Sequence, residues 1–416
     1  MPKTLYVGVD TALKTNVVCF VDDSGRRLCT LRSVPNSPAG FERICEAMMH
    51  QAAKHSFGAV RIGTEATSVL DIHLLDYFDR NRKQTDLPTQ VYRINPRQVK
   101  RFKKAYTQSK TDKIDSFFIA DYLRFNQHLA PYQAQRKYLP LRRLTRRRAQ
   151  IIKMITAEKN RLFPNLFLQY PGLVQDKPLS LDTVTAGALF TEFTPDELAA
   201  IPHDQLVEFL ISRSKKNLQQ PREKAQAIKK SIRDSYQIDP ELMQANTMVI
   251  DNILETIKDL ERRLKRIEAA IAEKMQDFPN TLETMPGIGP VYAAGLIAEI
   301  GDINLYKSSD SLAKLAGLVW ISNQSGESSG QETPIERSCK THLRYYMIEA
   351  ANSLRMHSEE YRSFYDKKYK EANKHEHRRA LVLTARKLVR LVYSLLKQGR
   401  PYDPNYVTQQ PSARAQ

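Results

Sequence analysis

TLYVGVD at residues 4–10, NVVCFVD at 16–22 and RLCTLRSV at 27–34 are the stretches that decide the fold of this chain. Each is a short run rich in β-branched and aromatic residues, and turn formers such as Asp23-Ser24-Gly25 separate them. Three consecutive antiparallel strands follow from that pattern. Ser37-Pro38 then reads as an N-cap with proline at the first helical position, opening a helix with Phe41, Ile44, Cys45, Met48 and Met49 on one face. Next come a strand near Ala59 to Thr64, a helix near Val69 to Arg80 and a strand near Gln90 to Ile94, followed by a helix in SKTDKIDSFFIADYL at 109–123.

Three strands, then helix, strand, helix, strand, helix is the element order of an RNase H-like α/β domain with a mixed sheet. That order gives its acidic residues a meaning. Asp10 ends the first strand, where propensity disfavours aspartate, and Glu65 holds the matching position after the fourth, in RIGTEAT. Either acid alone is often only a helix cap. In this fold the first and fourth strands are neighbours, so the two carboxylates are expected side by side. Asp112 and Asp115, three apart at a helix start with Thr111 as its cap, share one face and complete a set of four. Acids there also complement a helix dipole, but that does not explain four carboxylates converging. Four oxygen donors are suited to two Mg ions, which can activate an attacking oxygen and stabilise a leaving one at a phosphodiester.

The bulk charge agrees with a polyanionic partner. Lys and Arg number 64 against 46 Asp and Glu, a formal charge of +18, which makes nucleic acid the leading candidate. Two basic runs concentrate it. Residues 97–110 carry Arg97, Lys100, Arg101, Lys103, Lys104 and Lys110 with no acid, directly before the acidic pair. Residues 136–161, with Arg142, Arg143, Arg146, Arg147 and Arg148 at their centre, hold ten Lys or Arg against one Glu and should form a basic helix. Both runs are candidate phosphate contacts, and a solvated basic face is the plain alternative. Cys19, Cys29, Cys45 and Cys339 show no CxxC pairing, which points to a reducing cytoplasm and no zinc. No apolar run approaches membrane-spanning length, and MPKTLYVGVD lacks a signal-peptide core. A cytoplasmic, nucleoid-associated protein without a membrane partner is expected.

The chain divides on this basis into a catalytic domain at 1–130, a helical connector at 131–279, a mainly α C-terminal domain at 280–400 and a disordered tail at 401–416. In the connector, Ile250, Ile253, Ile257, Leu260, Leu264, Ile267 and Ile271 alternate three and four apart, a coiled-coil seam that either pairs with another chain or packs on its own domain. Residues 282–298, LETMPGIGPVYAAGLIA, read as a helix-hairpin-helix whose Gly287 and Gly289 let backbone N–H groups approach phosphates. Farther on, Ser325-Gly326 stands in a polar stretch. A serine there is usually only solvated, and no triad partner is identifiable.

The order GVD, TEAT, SKTDKIDS, then MPGIGPVYAAGLIAEIGDI, AGLVWISNQSG and LRYYMIEAA resembles the DEDD insertion-sequence transposases, also described as bridge-RNA-guided recombinases. The likeness covers roughly residues 1–165 and 245–355. It implies a RuvC-like N-terminal domain, a helical connector with a coiled coil, and a C-terminal transposase domain carrying a nucleophilic serine. Transferred by motif, Asp10, Glu65, Asp112 and Asp115 would be the metal-binding tetrad and Ser325 the nucleophile, with Ser328 and Ser329 as fallbacks. The resemblance further implies donor and target DNA, a structured noncoding RNA guide, and a homo-oligomer in which dimers assemble to a tetramer and the site is shared between subunits. Trp320, Gln324 and Cys339 depart from the residues usual in that family. A RuvC-like structure-selective endonuclease using water is the competing expectation.

Overall fold

The computed structural model describes residues 3–404 except Ser68, 82–86, 107–111, Ala134, Asp182, 215–217, 321–323, 326–327, 330–334 and Arg337; residues 112–114, 324–325 and 328–329 are described by their backbone alone. The chain forms two compact units, Met1–Gln135 and Arg136–Gln416.

The first unit runs β1 (Thr4–Asp10), β2 (Thr15–Val21), β3 (Arg27–Pro35), α1 (Pro38–His55), β4 (Ala59–Glu65), α2 (Ile72–Asn81), β5 (Thr89–Ile94), α3 (Pro96–Lys104) and α4 (Asp112–Phe125). Its sheet has the order β3-β2-β1-β4-β5. The β1–β2 and β2–β3 pairs are antiparallel, while β4 pairs parallel with both β1 and β5. This is the RNase H-like mixed sheet that the element order predicts. Side-chain alternation sends Leu5, Val7, Val9, Val60 and Ile62 into a core with Phe41, Ile44 and Met48 of α1 and Leu74, Leu75 and Phe78 of α2. The opposite face, with Tyr6, Cys19 and Tyr92, packs on Val99 of α3 and Phe118, Ile119 and Leu123 of α4. Ser37 does cap α1, its side chain accepting from the Gly40 N–H.

The second unit begins with α5 (Leu139–Gln169), followed by the short helices α6 (Pro171–Asp176), α7 (Val184–Glu192), α8 (Pro195–Ala200), α9 (His203–Arg213) and α10 (Pro221–Arg233) and by the long α11 (Pro240–Met275). Ile250, Ile253 and Ile257 lie in one core with Leu162 and Leu166, and Leu260 in another with Ile151 and Ile155, so α11 runs antiparallel along α5. The heptad seam is thus buried within its own chain. Asn246 fixes the register there, donating to the Asn165 carbonyl (3.0 Å) and to Gln169 Oε1 (2.8 Å).

Beyond it lie α12 (Pro290–Ile300), α13 (Ser309–Ala316), the two-residue strands β6 (Gln324–Ser325) and β7 (Ser328–Ser329), α14 (Thr341–His357), α15 (Glu359–Lys370) and α16 (Glu376–Gln398). One core joins the helices through Leu296, Leu312, Leu343, Met347, Tyr361, Leu388 and Val392. Of the two helices expected around the glycine turn, the second is α12 and the first is a single 3-10 turn, Leu282–Thr284. The four cysteines are free thiols. Among the described residues, no helix is long and apolar enough to cross a membrane.

Candidate catalytic site and nucleic-acid contacts

Two glycines build the bed on which the carboxylates meet. Gly8 of β1 and Gly63 of β4 are partners in the parallel register, and both face α4. A Cβ on Gly8 would lie 2.1 Å from the Ser116 carbonyl oxygen and 2.5 Å from the Ala120 nitrogen, so only glycine lets α4 lie this close to the sheet. One on Gly63 would meet the Leu123 side chain at 2.9 Å. Two residues beyond each glycine, on the same face by strand alternation, stand Asp10 and Glu65. Asp115 precedes Ser116 on the helix lying over Gly8 and completes the approach.

The electrostatics register this convergence. Burial, then the charges of Asp10 and Asp115, push the Glu65 carboxyl up to about 7, with the Lys103 ammonium opposing them. Lys103 Nζ donates to Asp115 Oδ1. Behind the carboxylates, the Thr11 hydroxyl bonds those of Thr64 (3.4 Å) and Thr67 (3.0 Å), tying the TEAT loop to the end of β1. Arg93 of β5 grips the fully buried Asp71 with two hydrogen bonds, of 2.5 and 3.2 Å, anchoring the far end of that loop. Of the described side chains here, those of Asp10, Glu65 and Asp115 could hold a hard cation. Among the described residues, no three His, Cys, Asp or Glu side chains are grouped as a metal site. Asp112 opens α4, but its side chain and the whole of Thr111 lie outside the described residues.

The basic candidates separate into two kinds. Arg97, Lys100, Arg101, Lys104, Arg143 and Arg147 are exposed, and Lys110 lies outside the described residues. The others are engaged internally. Lys103 pairs with Asp115, and Arg142 donates to the Ala298 carbonyl (2.8 Å). Arg146 binds the fully buried Glu299 through two hydrogen bonds, of 2.6 and 2.9 Å, and Arg148 binds Glu268 (2.8 Å). Burial opposes the Glu299 charge, yet its hydrogen bonds from Arg146 hold its carboxyl below the usual range.

In the second unit, Gly287 has φ +78° and its carbonyl accepts from Ser353 Oγ at 2.6 Å, so packing on α14 demands glycine there. Gly289 is exposed at the N-cap of α12, with open space where a Cβ would stand. Ser325 lies in a minimal hairpin, paired with Ser328. An antiparallel bridge between Trp320 and Ile335 closes the hairpin's base, reinforced by Glu336 N–H donating to the Val319 carbonyl (2.9 Å). Arg344 ties that base to the end of α13 through the carbonyls of Ala316 and Glu336.

The sequence pattern did not single out Gly8, Gly63, Thr11, Thr64 or Asp71. A signal was present for the glycines, since GVD and GTE repeat the same glycine-to-acid spacing on neighbouring strands.

Residues 7–171 match the model of the DEDD transposases of IS110 type, described as Transposase, and residues 280–366 match the Transposase IS116/IS110/IS902 family. Both matches define a transposase. Over these two stretches the chain is similar to the IS116/IS110/IS902 transposases. It is similar over 408 residues, at 26% identity and 96% coverage of both chains, to the 44.8 kDa protein of insertion element IS116 from Streptomyces clavuligerus. To the 42 kDa protein of insertion element IS900 from Mycobacterium paratuberculosis it is 24% identical, covering 98% of this chain and 99% of that one. Among solved structures it is similar to T. thermophilus RuvC in complex with Holliday junction substrate, at TM-score 0.23 and 14% identity, over 32% of this chain and 100% of that one.

Proposed function

We propose that this transposase cuts and rejoins DNA as a recombinase, with Asp10, Glu65, Asp112 and Asp115 binding Mg and Ser325 as the attacking nucleophile. The single observation that carries the cation site is geometric: Asp10 and Glu65 end the paired strands β1 and β4, two residues beyond the partnered Gly8 and Gly63, under the helix that bears Asp115. Burial first, and the Asp10 and Asp115 charges second, push the Glu65 carboxyl up to about 7, and a hard divalent cation would offset both, each of these groups being an oxygen donor. When bound, such an ion supplies charge stabilisation at the phosphate under attack.

The chain's own residues supply the rest. The Ser325 oxygen attacks phosphorus and gives up its proton, while the bond from phosphorus to one deoxyribose oxygen breaks and that oxygen takes up a proton. The resulting phosphoserine conserves the ester, so a hydroxyl on a second DNA end can displace the serine and complete the exchange. Exposed Arg97, Lys100, Arg101, Lys104, Arg143 and Arg147 position the nucleic-acid backbone, and the exposed Gly289 offers a close approach at the start of α12. The proposal includes a noncoding RNA guide and a tetramer built from dimers, in keeping with the family the motifs resemble.

Denaturing the reaction midway tests the chemistry. A protein–DNA adduct is expected from the wild type and none from Ser325→Ala. Free DNA ends without adduct would reject the serine in favour of a water-using nuclease; an adduct persisting in Ser325→Ala would move the nucleophile to Ser328 or Ser329.

A further inference from the structure

We propose that Lys103 is the built-in counter-ion of the carboxylate cluster and sets how readily a divalent cation loads it. The inference rests on reading Asp10, Glu65 and Asp115 as a cation site. Lys103 stands apart from the other cations of α3. Arg97, Lys100, Arg101 and Lys104 are exposed, whereas the Lys103 side chain is 14% exposed and its ammonium donates to Asp115 Oδ1.

Helix geometry fixes this difference. Val99, Phe102 and Lys103 occupy one face at spacings of three and four. Val99 is buried, and Phe102 packs against the rings of Tyr122 and Phe118 at 5.6 and 6.2 Å between centroids, seating α3 on α4. The same seating turns Lys103 toward Asp115 and leaves Lys100, Arg101 and Lys104 pointing away. Besides Asp115, the ammonium acts on Glu65, opposing the negative neighbours there as the one positive group to do so among the described residues.

An ammonium brings a single charge against the coupled carboxylates of Asp10, Glu65 and Asp115, and a divalent ion must share or displace it. Lys103 and the ion therefore compete for Asp115. The benefit is a cluster that stays partly neutralised, and so tolerable to the fold, before metal arrives. The cost is a weaker affinity for the ion.

Mn2+ binding to the full chain at pH 8, read from the electron paramagnetic resonance of the free ion, tests this without reference to activity. Lys103→Met should bind Mn2+ at least about tenfold tighter than wild type, because a nearby positive charge has been removed, and Lys103→Arg should stay near wild type. Equal or weaker binding by Lys103→Met overturns the counter-ion role. Glu65→Gln separates the two levels: if it binds Mn2+ as wild type does, the cation-site reading fails instead. A measurement on wild-type protein guards against a misfolded variant. Acylation of Lys103, mapped by mass spectrometry, should be slow without Mn2+ and faster with it, since the ion frees the ammonium; unchanged or slower labelling also overturns the proposal.

Discussion

Glu65 carries a pH dependence whose sign is fixed by the direction of its shift. Its carboxyl titrates near 7 in the folded chain against 4.5 ordinarily, so between those values the folded state holds a proton that the unfolded chain has released. The associated stability is complete below about 4.5 and is lost as pH rises through about 7. Thermal melts in EDTA should therefore fall between pH 5 and pH 8, by less in Glu65→Gln; Mg or Mn should restore the melting temperature at the upper end, and binding should release a proton at pH 6 but scarcely any at pH 8. A wild-type melting profile that rises across this interval would contradict the clustering of Asp10, Asp115 and Glu65. Asp10 and Glu65 were legible in the sequence because an acid at a strand end is locally anomalous. The true partners of the basic residues were not. Lys103 finds Asp115 twelve residues on, and Arg146 finds Glu299 across 153 positions, so composition alone made both look like free phosphate contacts. The distinction is measurable. Arg146→Met strands the buried Glu299 and should cost about 3 kcal/mol in chemical denaturation, the lower end for a buried pair because Arg146 is partly exposed. Arg147→Met should cost under about 0.5 kcal/mol yet lower the salt slope of DNA binding by about 0.9.

At the scale of elements, α4 is placed by what β1 lacks. Gly8→Ala would drive a methyl group into the Ser116 carbonyl and the Ala120 nitrogen, both backbone atoms that cannot rotate aside. The helix must lift, carrying Asp115 from Asp10 and Glu65, at a cost of about 1–3 kcal/mol from overpacking. Gly63→Ala meets the movable ends of the Leu123 and Ile94 side chains and should be milder. Mn2+ affinity should drop in Gly8→Ala and hold in Gly63→Ala, with far-UV circular dichroism unchanged in both; equal effects would mean that α4 does not depend on this contact. Periodicity made the five strands of the sheet, α1, α2, α4 and the amphipathic seam of α11 readable, but not α3 or the short helices α6 to α10. It could not say whose helix meets the seam, because a three-four repeat specifies a stripe and not its partner; α5 supplies that partner through Leu162, Ile155 and Ile151. The helix expected before Gly287 shrinks to Leu282–Thr284, which lies between Pro279 and Pro286; the second proline holds Met285 in extended backbone and so ends the turn there.

Across the whole molecule, the proposed chemistry is divided between two compact units, with Asp10, Glu65 and Asp115 in Met1–Gln135 and the Ser325 hairpin in Arg136–Gln416. The family matches fall on both sides of that division, at residues 7–171 and 280–366, so neither half alone accounts for the transposase. The proposal that one subunit's carboxylates serve another's serine has a consequence no single-site mechanism shares. Ser325→Ala protein retains an intact carboxylate cluster, and Asp10→Asn protein retains an intact serine. Each alone should be inactive in strand exchange. In an assembly formed from both, some sites receive carboxylates from the first and serine from the second, and these are complete. Mixing the two before adding DNA should therefore restore a minority of wild-type recombination, rising to a maximum near equal proportions, with the adduct carried only by the Asp10→Asn chains. Tagging the two chains with different masses identifies the adducted partner. If no mixture recovers activity while each variant still binds DNA as tightly as wild type, the carboxylates and the serine act within one chain, and the subunit-shared site is wrong even if both residue assignments are right.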